Sequence, residues 1–167
     1  QRHLEAPESL RDRISDWEIR GAAVLYLAGP DGIVGAMALE DEIRPEARQA
    51  VADLRSMGVD VAMITGDARQ VADAVARDLD ITDVFAEVLP EDKDQTVAAL
   101  QRSGTTVAMV GDGVNDAPAL ARADVGLAIG AGTDVAIESA GVVLASSDPR
   151  GVAAVIRLSR ASYRKMV

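Results

Sequence analysis

The stretch MVGDGVNDAPAL, Met109 to Leu120, decides how the rest of the chain is read. It completes an apolar, strand-like run from Thr105 to Val110 and ends where a helical run begins. Two glycines, two carboxylates and an amide meet at the tip of that run, where a backbone turns sharply and polar side chains converge. That layout suits a phosphate and magnesium site. Asp112 and Asp116 lie four apart with a turn and a helix start between them, so they can face one small volume instead of lining a regular helix. Two carboxylates and an amide oxygen suit Mg2+, a hard cation that keeps several waters; alternatively Asn115 donates to a phosphoryl oxygen. A Gly/Asn/Asp turn followed by a helix cap explains GDG or ND taken alone. The whole run in its strand and helix context is far more specific.

Composition bounds what surrounds this stretch. The chain has 167 residues, the size of one domain or of one domain carrying a piece of a second, and 49% of them are hydrophobic. Aromatics make up only 2%, so Val, Ala, Leu and Ile must build the core, a mix that suits an α/β sheet covered by helices. A net charge of −10 leaves no basic stripe for nucleic acid and suits a soluble, cytoplasmic setting. The absence of cysteine excludes disulfides and thiolate metal sites within these residues. No apolar run approaches the roughly 20 residues of a membrane helix, and the N-terminus is unlike a signal peptide.

Outward from the central stretch, the pattern alternates between helix and strand. Leu10, Ile14 and Trp17 mark an amphipathic helix within Gln1 to Arg20, and His3 ahead of it reads as a solvated side chain. Apolar runs at Ala22 to Ala28 and Ile33 to Leu39, joined by Gly29 to Gly32, predict a hairpin belonging to a different sheet. Pro45 opens a helix with Ala47, Ala50, Val51, Leu54 and Met57 on one face, closed by Gly58. A buried strand over Val59 to Ile64 leads into Thr65, Gly66 and Asp67. Asp67 is placed to cap a helix from Ala68 to Leu79, with Gln70 completing a capping box. A short strand near Val84 to Glu87 and a helix from Pro90 to Gly104 carrying Lys93 come next, before the Thr105 strand. Beyond Leu120 the pattern gives strands at Val125 to Ile129 and Gly141 to Ala145 with a helix at Thr133 to Ser139 between them. A last helix follows Asp148 and Pro149, with Val152, Val155, Ile156, Tyr163 and Met166 along one side. This alternation predicts a mostly parallel sheet whose carboxyl ends collect Thr65, Asp67, Asp112, Asn115 and Asp116. Beside such a site the Lys93 ammonium is a point-charge partner for phosphate, and Thr65 and Gly66 offer a hydroxyl and a backbone N–H.

Taken together, TGD at Thr65 to Asp67, Pro90 with Lys93, MVGDGVNDAPAL, and ADVGLAIGAGTDVAIESAGVVL from Ala123 to Leu144 closely resemble the phosphorylation domain of P-type ATPases. The last of these and the close spacing resemble the heavy-metal-transporting branch. The resemblance covers about Asp41 to the C-terminus and implies a haloacid-dehalogenase-like, Rossmannoid α/β fold. It implies that Asp112 is the Mg2+ ligand, that Asp116 supports the metal and the lysine, and that Lys93 neutralises the transferred phosphoryl group. Thr65, Gly66 and Asp67 would form the phosphoryl cradle, Asn115 would hold neighbouring polar groups, and Asp41 and Arg44 in DEIRP resemble the hinge between domains. It further implies residues 1–41 as a remnant of the nucleotide-binding domain, 42–150 as the phosphorylation domain and 151–167 as a helix toward the next membrane span.

The resemblance has gaps. Ala68 stands where many members have Asn, and the SEHP segment and glycine motif that contact the nucleotide are missing. The nucleophilic Asp of the family's DKTGT segment is also absent from this sequence. Covalent phosphoryl transfer needs that carboxylate in line with the γ-phosphate, so the chain by itself is expected to be inactive and to lack the central strand of its sheet. The expectation is a soluble piece of an ATP-driven copper or zinc pump at the cytoplasmic face of a membrane. Its partners would be the nucleotide, actuator and membrane domains of the same pump, Mg2+, ATP and the transported metal ion, with no nucleic acid. A soluble phosphatase of the same superfamily and a non-catalytic domain that binds Mg2+ or a partner are the alternatives.

Overall fold

A computed structural model describes residues 8–30, 32–39, 43–112, 114–130 and 138–166. The N-terminal part is helix α1 (Glu8–Ile19) and a hairpin of β1 (Ala23–Gly29) and β2 (Gly32–Leu39). The remainder alternates: α2 (Pro45–Ser56), β3 (Ala62–Ile64), α3 (Arg69–Leu79), β4 (Asp83–Phe85), α4 (Lys93–Arg102), β5 (Ala108–Gly111), α5 (Ala117–Arg122), β6 (Val125–Ile129), β7 (Val142–Leu144) and α6 (Arg150–Met166). Short 3₁₀ turns at Pro90–Asp92 and Val114–Asp116 run directly into α4 and α5.

Pairing is antiparallel in the hairpin and parallel elsewhere, as the alternation of helix and strand requires. The parallel strands form two separate pieces, β3–β4 and β5–β6–β7. No ladder joins β3 to β5 among the described residues, so each offers an unpaired edge. The hairpin is likewise a sheet of its own, covered by α1 on one side. Leu25, Leu27, Met37 and Leu39 share its other face and are all at least half exposed.

The core gathers around β6, where small residues let elements approach closely. Ala128 is buried on the face of β6 that meets α5 and Leu127 on the opposite face, and Ala119 and Leu120 of α5 and Val97 of α4, which packs on α5, are buried as well. A Cβ on Gly126 would lie 2.6 Å from the Leu120 carbonyl oxygen, so this strand position admits no side chain. On the other side α2 lies along α6, with Ala50 and Val51 facing Val152 and Ala153. Arg157 reaches Asp53 at 3.2 Å, and Arg160 donates to the Met57 carbonyl at 2.9 Å.

Several expectations change. The strand expected from Val59 begins only at Ala62, because the Val59 N–H bonds the Leu54 carbonyl and finishes α2, and pairing with β4 begins at Ala62. The capping box does not form: α3 starts at Arg69 behind Ala68, with no side-chain cap. Asp67 instead accepts from the Thr65 hydroxyl, and Gln70 reaches a carbonyl of α1. Tyr163 and Met166 are exposed, because α6 runs past the end of α2. Of the helix expected at Thr133 to Ser139, only Glu138 and Ser139 are described, and both are helical. His3 and Asp41 lie outside the described residues.

Candidate functional site

The carboxyl ends of β3 and β5, with the loop after β4, place the candidate residues. Beyond β3, the Thr65 hydroxyl donates to Asp67 Oδ2 at 2.7 Å and accepts the Asp67 N–H at 3.1 Å, folding Thr65-Gly66-Asp67 into a closed turn. The loop after β4 is zipped onto this turn. Thr65 N–H bonds the Phe85 carbonyl at 2.9 Å, Val88 N–H bonds the Thr65 carbonyl at 3.0 Å, and Glu87 N–H bonds the Asp67 carbonyl at 3.0 Å. Glu87 reaches its partner from a left-handed backbone, φ +59, which is uncommon for a residue with a side chain. Val88 then leads through Leu89 and the Pro90 turn to Lys93, the first residue of α4.

Lys93 is where the two halves of the sequence motif meet. Its Nζ donates to Asp116 Oδ1 at 2.7 Å, and the two side chains are only 16% and 13% exposed. Screening by water is weak in such surroundings, so the pair is firmly oriented. Gly111 makes room for it. A Cβ there would lie 2.7 Å from Asp116 Cβ and 2.8 Å from Asp116 Oδ2, so the Asp116 side chain rests directly on the strand backbone. Asp112, the next residue, is exposed at the end of β5, and Asn115 is exposed on the 3₁₀ turn.

The structure therefore brings Lys93 onto Asp116 and ties Thr65, Gly66 and Asp67 to the segment that leads into Lys93. Asp112 and Asn115 lie on the same β5-to-α5 connection as Asp116. Among the described residues no three His, Cys, Asp or Glu side chains are grouped to enclose a metal. The donor set of Asp112 and Asp116 instead fits a hydrated hard cation that takes one or two carboxylates, as Mg2+ does. Sequence reasoning missed two contributors. Gly111 was visible only as a motif glycine, and Glu87 gave no signal, because its role rests on a backbone angle.

The sequence profile of haloacid dehalogenase-like hydrolases matches residues 1–124, and a second haloacid dehalogenase-like hydrolase profile matches 94–156. A copper-exporting P-type ATPase B of Archaeoglobus fulgidus is 53% identical over 147 residues, covering 88% of this chain and 21% of that protein. Copper-transporting ATPase 2 of Mus musculus is 50% identical over 163 residues, covering 98% of this chain and 11% of that protein. The chain thus spans about a tenth to a fifth of the length of these relatives. The crystal structure of a zinc-transporting PIB-type ATPase in its E2.Pi state superposes with a TM-score of 0.86 at 37% identity, over 96% of this chain and 26% of that one. The catalytic domain of a CPx-ATPase, solved for its conformational changes upon nucleotide binding, gives a TM-score of 0.64 at 29% identity, over 81% of this chain and 57% of that one.

Proposed function

The chain belongs to the haloacid dehalogenase-like hydrolase family, and from that premise we propose that it is the phosphorylation-domain portion of an ATP-driven transition-metal pump. The pump would act through an aspartyl-phosphate at the cytoplasmic face of a membrane. The observation that carries this reading is the shielded Lys93–Asp116 pair at the carboxyl end of β5, next to Asp112. A fixed ammonium beside a carboxylate-bearing strand end is what an enzyme needs to steady a transferring phosphoryl group. The relatives that align with nearly all of this chain are copper and zinc transporters, which supports a metal-ion cargo.

Each residue then has a task. Lys93 offsets the charge of the phosphoryl oxygens, and Asp116 holds Lys93 in place from beneath. The Gly66 N–H binds a phosphoryl oxygen, and the Thr65 hydroxyl joins it by turning its single proton away from Asp67 Oδ2, which otherwise accepts that proton at 2.7 Å. Asp112, helped by Asp116, would hold Mg2+, which when bound spreads the charge of the transferred group. Asn115 donates from the rim. The attacking carboxylate, whose oxygen forms the new bond to the γ-phosphorus as the bond to ADP breaks, belongs to a segment outside this sequence. That segment would also fill the unpaired edges of β3 and β5 and join the two sheet pieces. Residues 1–41 are assigned to the nucleotide-binding domain, 42–150 to the phosphorylation domain, and 151–167 to a helix carrying Arg164 and Lys165 toward the membrane. Among the described residues no helix is long and apolar enough to cross one, and the cargo ligands are assigned, as part of this proposal, to the pump's membrane domain.

Phosphoenzyme trapping tests this. With ATP and Mg2+, the whole protein should form a hydroxylamine-sensitive acyl phosphate, and Asp112→Ala should abolish it. The 167-residue chain alone should form none. A carboxylate labelled in the isolated chain, or normal labelling of the Asp112→Ala pump, overturns the assignment.

A further inference from the structure

Gln70 and Gly21 have no part in the candidate site, yet they meet. Helix α1 ends in a Schellman turn: Ala22 N–H bonds the Trp17 carbonyl at 2.9 Å and Gly21 N–H bonds the Glu18 carbonyl at 3.0 Å. Gly21 takes the left-handed position, φ +86, which favours glycine. The same residue lies flat on α3. A Cβ on it would be 3.1 Å from Ala74 Cβ and 3.2 Å from Val71 Cα, closer than side chains normally pack. One turn earlier on α3, Gln70 Nε2 donates to the Glu18 carbonyl at 2.5 Å, using that oxygen's second lone pair. A side chain at Gly21 is therefore opposed twice, by its backbone angle and by α3.

We propose that this contact is a latch that docks the α1–hairpin unit onto the first half of α3. Gln70 stands three residues beyond Asp67, so the helix turn that receives α1 also anchors the Thr65-Gly66-Asp67 loop. The seam lies at the surface. Beside it, Ile19, Asp73, Arg77, Ile81 and Val84 border an open cavity of about 570 Å³, and Ile19 is 62% exposed. A contact in which one glycine and one amide take part, beside an open hollow, is of the kind that lets neighbouring units move relative to one another. Its consequence rests on the proposed function: engaging or releasing the latch would turn the nucleotide-domain remnant relative to the phosphoryl cradle.

The absence of cysteine makes cross-linking in this chain unambiguous. Cysteines at Ile19 and Asp73, which border the same hollow and leave Gln70 in place, should be bridged in high yield by a short bifunctional thiol-reactive cross-linker, and adding Gly21→Val should lower that yield several-fold. Because Gly21→Val also disturbs the end of α1, Gln70→Ala is the second variant. It should raise hydrogen exchange several-fold across residues 66–72 while β6 keeps its protection. A cross-link yield indifferent to Gly21→Val, or exchange at 66–72 unchanged by Gln70→Ala, overturns the latch. Neither readout involves ATP or phosphorylation, so failure of the latch is distinguishable from failure of the ATPase reading.

Discussion

The β5–β6–β7 sheet and the β3–β4 pair each carry part of the proposed site, but they are held by different means. The first is held by packing: Leu120 is 1% exposed, Ala128 is fully buried, and α5 lies so close to β6 that Gly126 admits no side chain. The second has no fully buried strand residue, and its loop is held by the backbone bonds that zip Thr65 and Asp67 to Phe85, Glu87 and Val88. A packed half is suited to fixing Lys93 on Asp116, which must not move as charge develops. A hydrogen-bonded half is suited to a loop that closes on a phosphoryl group and lets it go.

Truncations in the two halves separate these cases most strongly. Leu120→Ala should cost about 3 kcal/mol in a denaturant titration, because its fully enclosed site cannot collapse. Ile64→Ala, at a partly buried position of β3, should cost less, about 1.5 kcal/mol, since its site is not fully enclosed. Equal losses would remove the distinction.

The charged pair gives the next effect. Asp116→Ala leaves the Lys93 ammonium mostly shielded and without its carboxylate, and should cost about 2 kcal/mol, below the roughly 3–5 kcal/mol for a fully buried pair. Lys93→Met with Asp116→Leu should restore most of that stability, because an apolar pair of similar volume needs no desolvation. Such recovery would mean that the ion pair is kept for chemistry and not for folding. Gly111→Ala should cost about 1.5 kcal/mol by pushing the Asp116 side chain off the strand. Combined with Asp116→Gly, which removes the obstructing side chain, the loss should fall short of the sum of the two, as expected for residues in contact.

What was legible in the sequence follows the same division. The family resemblance, not spacing, marked Lys93 and Asp116 as partners, and they do converge, whereas apolar runs followed by Gly located β3, β5 and β6. These are local patterns, in which a residue's type reports the backbone it occupies. Interactions set by a distant partner left no trace. Gln70 fits a capping box by spacing, but the hydroxyl of Thr65 takes Asp67 and a carbonyl 52 residues away takes Gln70. Val59 fits a strand by type but is used to finish α2, and Tyr163 continues a helical stripe beyond the helix that the stripe packs against. The division of the parallel strands was legible only through the resemblance, as a missing central strand.

The smallest effect concerns how β5 is started. Asp124 accepts the Val107 N–H at 2.8 Å and Gln101 Nε2 at 3.1 Å, joining the end of α4 to the strand that delivers Asp112. The Val107 N–H first, and Gln101 second, hold the Asp124 carboxyl below its usual pKa. A depressed carboxylate pKa adds stability that is fully present above the unfolded value, about 4, and is lost as pH falls through the lower folded value. The wild-type chain should therefore lose a small part of its stability below pH 4, beginning at β5. Asp124→Asn keeps an acceptor for Val107 but does not titrate, so the gap between the two proteins should narrow as pH drops. Exchange of the Val107 amide, followed from pH 6 to pH 3 in both, reads this directly. Parallel pH dependence in the two would show that β5 is held by the packing around Leu127 alone and not by this carboxylate.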